Sequence, residues 1–172
     1  MQAIKDIKKL TMAAMLLAVS VVLSFFKVPV TNLIEIRFNS LPIAAAGYLF
    51  GPVIGGLVGM LADILGYIVK PTGPFFPGFT ISSTVTGVIY GMMLWRRDVR
   101  LPWLALAEAI QTAVVSIFLN SYFLSVLYGS GFFVVLSARL LKSLVMYPVN
   151  LLLLYSLMKP LTHIGREVMA SE

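Results

Sequence analysis

From Leu10 to Met158 the chain is a succession of apolar runs separated by short stretches, and the charged residues inside the runs are Asp63, Glu108, Arg139 and Lys142. A bilayer core takes about 20 helical residues to cross and admits only structures that satisfy their own backbone polar groups. Runs at Leu10–Phe26, Leu41–Phe50, Val53–Val69, Thr80–Trp95, Trp103–Tyr122 and Phe132–Met158 predict an all-α membrane protein. The expected form is a compact bundle of six transmembrane helices, built as a single domain over residues 1–172. The second run is too short to cross upright, and Phe50-Gly51-Pro52 divides it from the third, because Gly suits a helix end and Pro a helix start. The stretch Lys27–Ser40 reads as a loop leading into the second run.

Composition closes off other classes. With 59% hydrophobic and 12% charged residues, too little polar surface remains for a soluble domain. Cysteine is absent and His163 is the single histidine, so disulfides, thiolate metal sites and histidine clusters are excluded. The net charge of +6 comes from residues that flank apolar runs, which speaks for membrane topology rather than nucleic-acid binding. The basic start followed by an apolar run is like a signal peptide. It lacks a clear small-residue cleavage site, and a retained first helix is expected.

Charge placement sets the orientation. Lys5, Lys8, Lys9, Arg96, Arg97, Arg100, Lys159 and Arg166 fall on one side of a six-span bundle, against Lys27, Arg37 and Lys70 on the other. The positive-inside rule puts both termini in the cytoplasm and the 27–40, 70–79 and 124–131 connections outside. The 70–79 connection, with Phe75, Phe76 and Phe79 among prolines and glycines, is stiff and aromatic, suited to a lid over a flat ring. It suits equally well phenylalanines that dip into headgroups or into the bundle.

Three stripes carry polar information. Gly55, Gly59, Asp63, Gly66 and Lys70 share one helix face. The glycines read as close helix packing, whereas a carboxylate at Asp63 must be paired or wet and should face the interior. Arg139 and Lys142 lie deep in the last run, with Met146 and Asn150 continuing their line. Asp63 can neutralise one cation in a purely structural bridge, and the surplus positive charge favours an anionic solute. Thr80, Ser82, Ser83, Thr84 and Thr86 bond to their own helix or line a polar ring. Asn120 and Tyr122 sit at the same outer level, and Glu108 is expected to snorkel or to pair with an arginine of the 96–100 cluster. Ala14-x-x-x-Ala18 makes a smooth face on the first helix.

The segment "IRFNSLPIAAAGYLFGPVIGGLVGMLADILGYIVKPTGPFFPGFT" resembles the membrane-embedded substrate-binding (S) components of energy-coupling factor (ECF) vitamin transporters. Leu49–Gly66 carries the pattern common to several S components, and "PTGPFFPGFT" is similar to the folate-binding branch. The likeness is clear over about residues 10 to 95. It implies a non-catalytic subunit of the bacterial cytoplasmic membrane that captures folate from outside. It further implies a transmembrane coupling protein and two cytoplasmic ATPases as partners, with Ala14 and Ala18 as the docking face and inward release by toppling. No cofactor of its own is implied, since ATP is used by the partners, and the chain has no Gly-x-x-x-x-Gly-Lys-Ser/Thr loop. The pterin of folate needs stacking and a polar edge, which the phenylalanines and Asp63 can supply. Its glutamate tail needs a cation, open among Arg37, Lys70, Arg139 and Lys142. Another vitamin, such as pantothenate or thiamine, is the alternative for the same superfamily. An intramembrane hydrolase with a Lys142–Ser143 or Lys142–Ser137 pair is disfavoured, because neither spacing brings the two side chains face to face.

Overall fold

The computed structural model describes the backbone of residues 2–26, 28–31, 34–36, 38–71, 74–97, 99–129 and 131–170. It describes the side chains of Ile7 and, within those ranges, of residues 9–26 and 38–162. Lys5, Lys8, Lys27, Arg37, His163 and Arg166 therefore lie outside the described side chains. The order is α1 (Gln2–Ser24), β1 (Val28–Thr31), β2 (Ile34–Ile36), α2 (Ser40–Val69), α3 (Pro77–Leu94), α4 (Leu101–Gln111), a π-helical stretch (Thr112–Leu119), α5 (Asn120–Tyr128) and α6 (Phe132–Ala170).

Among the described residues the fold is helical apart from one short hairpin. Where a loop was expected after α1, β1 and β2 pair antiparallel, with Val28 opposite Ile36 and Pro29 opposite Glu35. Val28, Val30, Thr31, Ile34 and Ile36 are β-branched, and in a two-stranded ribbon each strand has an open edge that tolerates Pro29. The last helix also runs past the expected end at Met158 to Ala170.

Among the described residues, three helices have the length and apolar composition to cross a membrane, Ser40–Val69, Leu101–Tyr128 and Phe132–Thr162, together with the shorter apolar Lys9–Ser24. The first of these is folded back on itself. Gly51 has φ 86° and ψ −179°, a conformation open to glycine because it has no Cβ, and Pro52 opens the second limb. Across the bend, a Cβ on Gly55 would lie 2.7 Å from the Gly47 Cα, and one on Gly59 would lie 3.4 Å from the Ile43 side chain. The indole of Trp95 closes the bend at 3.2 Å from where a Gly51 Cβ would stand.

α3 lies in the angle of this helical hairpin and shares with α2 the most extensive interface of the protein. Glycines make the approach possible. A Cβ on Gly47 would meet the Gly91 nitrogen at 2.8 Å, and one on Gly55 would meet the Gly87 carbonyl at 2.8 Å. Pro42 to Gly51 are all buried, so the first limb is surrounded by protein. Leu57, Leu61 and Leu65 form an exposed row on the second limb, as expected of a lipid-facing stripe. The apolar core of Ala44, Tyr48, Leu94, Leu104, Leu154 and Met158 fills the half of the bundle nearer the α3–α4 turn. The other half is hollow.

Candidate functional site

α2, α3, α5 and α6, with the 74–79 segment, enclose a cavity of about 180 Å³. The aromatic segment forms one wall. Pro77 takes the first position of α3 and its fixed φ starts the helix there, so Phe76 precedes the helix and Phe79 lies in its first turn. Phe75, Phe76 and Phe79 all line the cavity. Phe75 meets Tyr67 edge-on at 5.2 Å between centroids, and Phe76 packs on Phe79 at 5.9 Å and Phe123 at 5.7 Å.

The rest of the lining is largely polar and includes two cations. Arg139 and Lys142 of α6 line the cavity, and Arg139, 8% exposed, donates from Nη1 to the Ser116 carbonyl at 3.0 Å. Asp63 lines it from α2 and accepts from Thr80 Oγ1 at 2.9 Å. Ser83 and Asn120 line it as well. The hydroxyls of α3 divide as their chemistry allows: Thr84 and Thr86 donate to the Thr80 and Ser82 carbonyls of their own helix. Ser82 Oγ, Ser143 Oγ and Asn120 Oδ1 are buried against the cavity without a hydrogen-bond partner among the described residues. Buried polar atoms are nearly always satisfied, so these three are open to hydrogen bonds from whatever fills the hollow.

Other expected residues stand elsewhere. The Lys70 ammonium donates to the Phe25 carbonyl at 2.8 Å, fastening the base of the aromatic segment to the end of α1. It does so because the last carbonyls of a helix lack partners and attract a cation. Tyr122 is 56% exposed and turned away from the cavity. Arg37 lies outside the described residues. Ala14 and Ala18 are exposed on α1. Glu108 departs from expectation: it neither snorkels nor relies on the 96–100 arginines but is 2% exposed, accepting the Tyr90 hydroxyl and hydrogen-bonded by the Asn150 side chain. Arg96 and Arg97 lie over Trp95 and Trp103, at 4.5 and 4.3 Å from the ring centroids. Gln111, Thr112, Ser116 and Tyr147 reach the cavity without having been singled out from sequence. The polar pair Gln111-Thr112 inside an apolar run was the available signal.

The sequence matches the family described as ECF transporter, substrate-specific component, over residues 8–158. It is 33% identical over 155 residues to the folate transporter FolT of Clostridium novyi (strain NT), covering 90% of each chain. It is 31% identical over 133 residues to the riboflavin transporter RibU of Staphylococcus aureus (strain TCH60), covering 73% of this chain and 69% of that one. Among solved structures, a crystal structure of FolT bound with folic acid superposes with a TM-score of 0.80 at 31% identity, over 87% of this chain and 92% of that one.

Proposed function

Because the chain belongs to the substrate-specific components of ECF transporters, a membrane transporter family and not an enzyme family, we propose that it binds folate from outside the cell and delivers it inward. The observation that carries this reading is the cavity itself, whose lining joins three phenylalanines to Arg139, Lys142 and three orphan polar atoms. A pterin is flat and rich in donors and acceptors, and its conjugated glutamate is anionic. Phe75, Phe76 and Phe79 stack on the ring system, Asp63, Ser83 and Asn120 meet polar edges, and the two cations meet carboxylates. The similarity to FolT chains supports folate over other vitamins.

Counting the limbs of α2 separately and α4 to α5 as one rod gives six membrane-crossing segments, with both termini cytoplasmic in the plasma membrane of a bacterium. In this arrangement the cavity opens outward and the arginines beside Trp95 and Trp103 face the cytoplasm, in keeping with the positive-inside rule. A transmembrane coupling protein and two ATPases supply the energy, and the chain itself requires no cofactor. Ala14 and Ala18, small and exposed, form the docking face on which the loaded subunit topples. Replacing either with tryptophan is expected to leave folate affinity in detergent unchanged while abolishing uptake in cells that carry the whole transporter. Loss of binding in those variants would remove the docking role.

The direct test is calorimetric titration of the purified protein with folic acid and with riboflavin, pantothenate and thiamine. Folate is expected to bind well below micromolar. Binding no tighter than micromolar, with one of the other vitamins bound tightly, would overturn the folate assignment.

A further inference from the structure

Beneath the cavity, three polar side chains from three helices meet in an otherwise apolar layer. Tyr90 of α3 and Glu108 of α4 are each 2% exposed and do not reach the cavity. Asn150 of α6 does line it. The Tyr90 hydroxyl donates to Glu108 Oε2, and the Asn150 amide bonds to the same carboxyl group. The surrounding core of Leu94, Leu104 and Ala107 has no need of an acid for packing. A carboxyl buried within a membrane bundle is costly, which argues for a function.

The chemistry of the pair supplies one. A carboxylate only accepts hydrogen bonds, whereas a primary amide donates at one end and accepts at the other. When Glu108 takes the amide N–H of Asn150, the carbonyl oxygen of Asn150 is turned the opposite way. An asparagine without such a partner presents either end. Tyr90 in turn holds the carboxyl at Oε2, so the orientation is set two residues deep.

We infer that Asn150 is a specificity-determining contact at the inner end of the cavity, offering a fixed carbonyl acceptor to an N–H or amino donor of the ligand's heterocycle, and that Glu108 and Tyr90 are the positioning residues that fix its polarity. The inference rests on the folate reading, since the 2-amino-4-oxo edge of a pterin carries such donors. A site built to receive a hydrogen bond rejects an analogue that lacks the donor, because its buried acceptor is left unpaired.

The test compares folic acid with its 2-deamino analogue, titrated into the purified full chain. The unmodified protein is expected to bind the analogue about tenfold or more weakly. Asn150→Leu is expected to bind folic acid more weakly and to bring the two affinities together. Glu108→Gln, which keeps the shape but leaves the amide free to pair either way, is expected to narrow the ratio while melting like the unmodified protein. Tyr90→Phe supplies the same readout if Glu108→Gln does not fold, and Asn150→Ala replaces Asn150→Leu on the same ground. A merely structural role lowers both affinities together, so an unchanged ratio in the variants overturns the inference. So does an unmodified protein that binds both ligands equally. An unmodified protein that binds neither ligand brings down the folate reading itself and the inference with it.

Discussion

Replacing Arg139 with alanine is expected to weaken folate binding by about 2–4 kcal/mol, roughly 30- to 1,000-fold. The magnitude follows from burial. The guanidinium is 8% exposed and is held toward the cavity by the Ser116 carbonyl. A carboxylate brought against it loses its water and recovers that loss only through the ion pair. With the cation removed, the ligand's charge stays desolvated and unmatched. Lys142, half-buried on the same wall, should give a loss of the same kind, smaller because more solvent reaches it. Arg139→Lys keeps the charge but not the planar fork, so it should recover only part of the affinity. Calorimetry with folic acid and with a pterin lacking the glutamate tail separates the explanations. The tailless pterin should be nearly indifferent to both substitutions. Unchanged folate affinity in both alanine variants would make the two cations structural.

The second large effect concerns folding. Gly87→Ala is expected to destabilise the protein by about 3 kcal/mol or more, at or beyond the upper end of ordinary overpacking. The new methyl group would fall on the Gly55 carbonyl, in the backbone of the facing helix. Backbone has no rotamer to change, so α2 and α3 would have to separate. Their separation would reach the cavity, since Asp63 of α2 is bonded to Thr80 of α3. Gly131→Ala is the control, because a Cβ there meets only the Val134 side chain at 3.9 Å. Thermal unfolding in detergent should place Gly131→Ala beside the unmodified protein and Gly87→Ala far below it. Equal midpoints would mean that the glycine seam has slack.

Much of this was legible because bilayer and backbone leave few options. The apolar runs became the helices, and Phe50-Gly51-Pro52 marked the fold in α2 because only glycine adopts that φ cheaply. Asp63, the three phenylalanines, Ser83, Asn120, Arg139 and Lys142 were brought to one cavity from five separate stretches of sequence. What a linear reading missed has physical causes. In an uninterrupted α-helix Tyr122 would share a face with Gln111, at 100° per residue. The π-helical stretch between them has wider, i→i+5 turns, which rotate Tyr122 out and bring Ser116 and Asn120 in. Nothing in the side chains of "TAVVSIFL" announces that change of pitch. In sequence Glu108 reads as snorkelling or pairing with an arginine of the 96–100 cluster, whereas its partners, Tyr90 and Asn150, lie on other helices. The hairpin before α2 was missed because its strands are only four and three residues long.

The first limb of α2, only about 16 Å long at 1.5 Å per residue, is shorter than the oily thickness of a membrane. Enclosed from Pro42 to Gly51, it has no hydrocarbon chains to match. Thinning or swelling of the surrounding lipid can tilt the peripheral rods, but it acts on this inner strut only through them. The shortest of the apolar runs is thus the one best insulated from the membrane in which it sits.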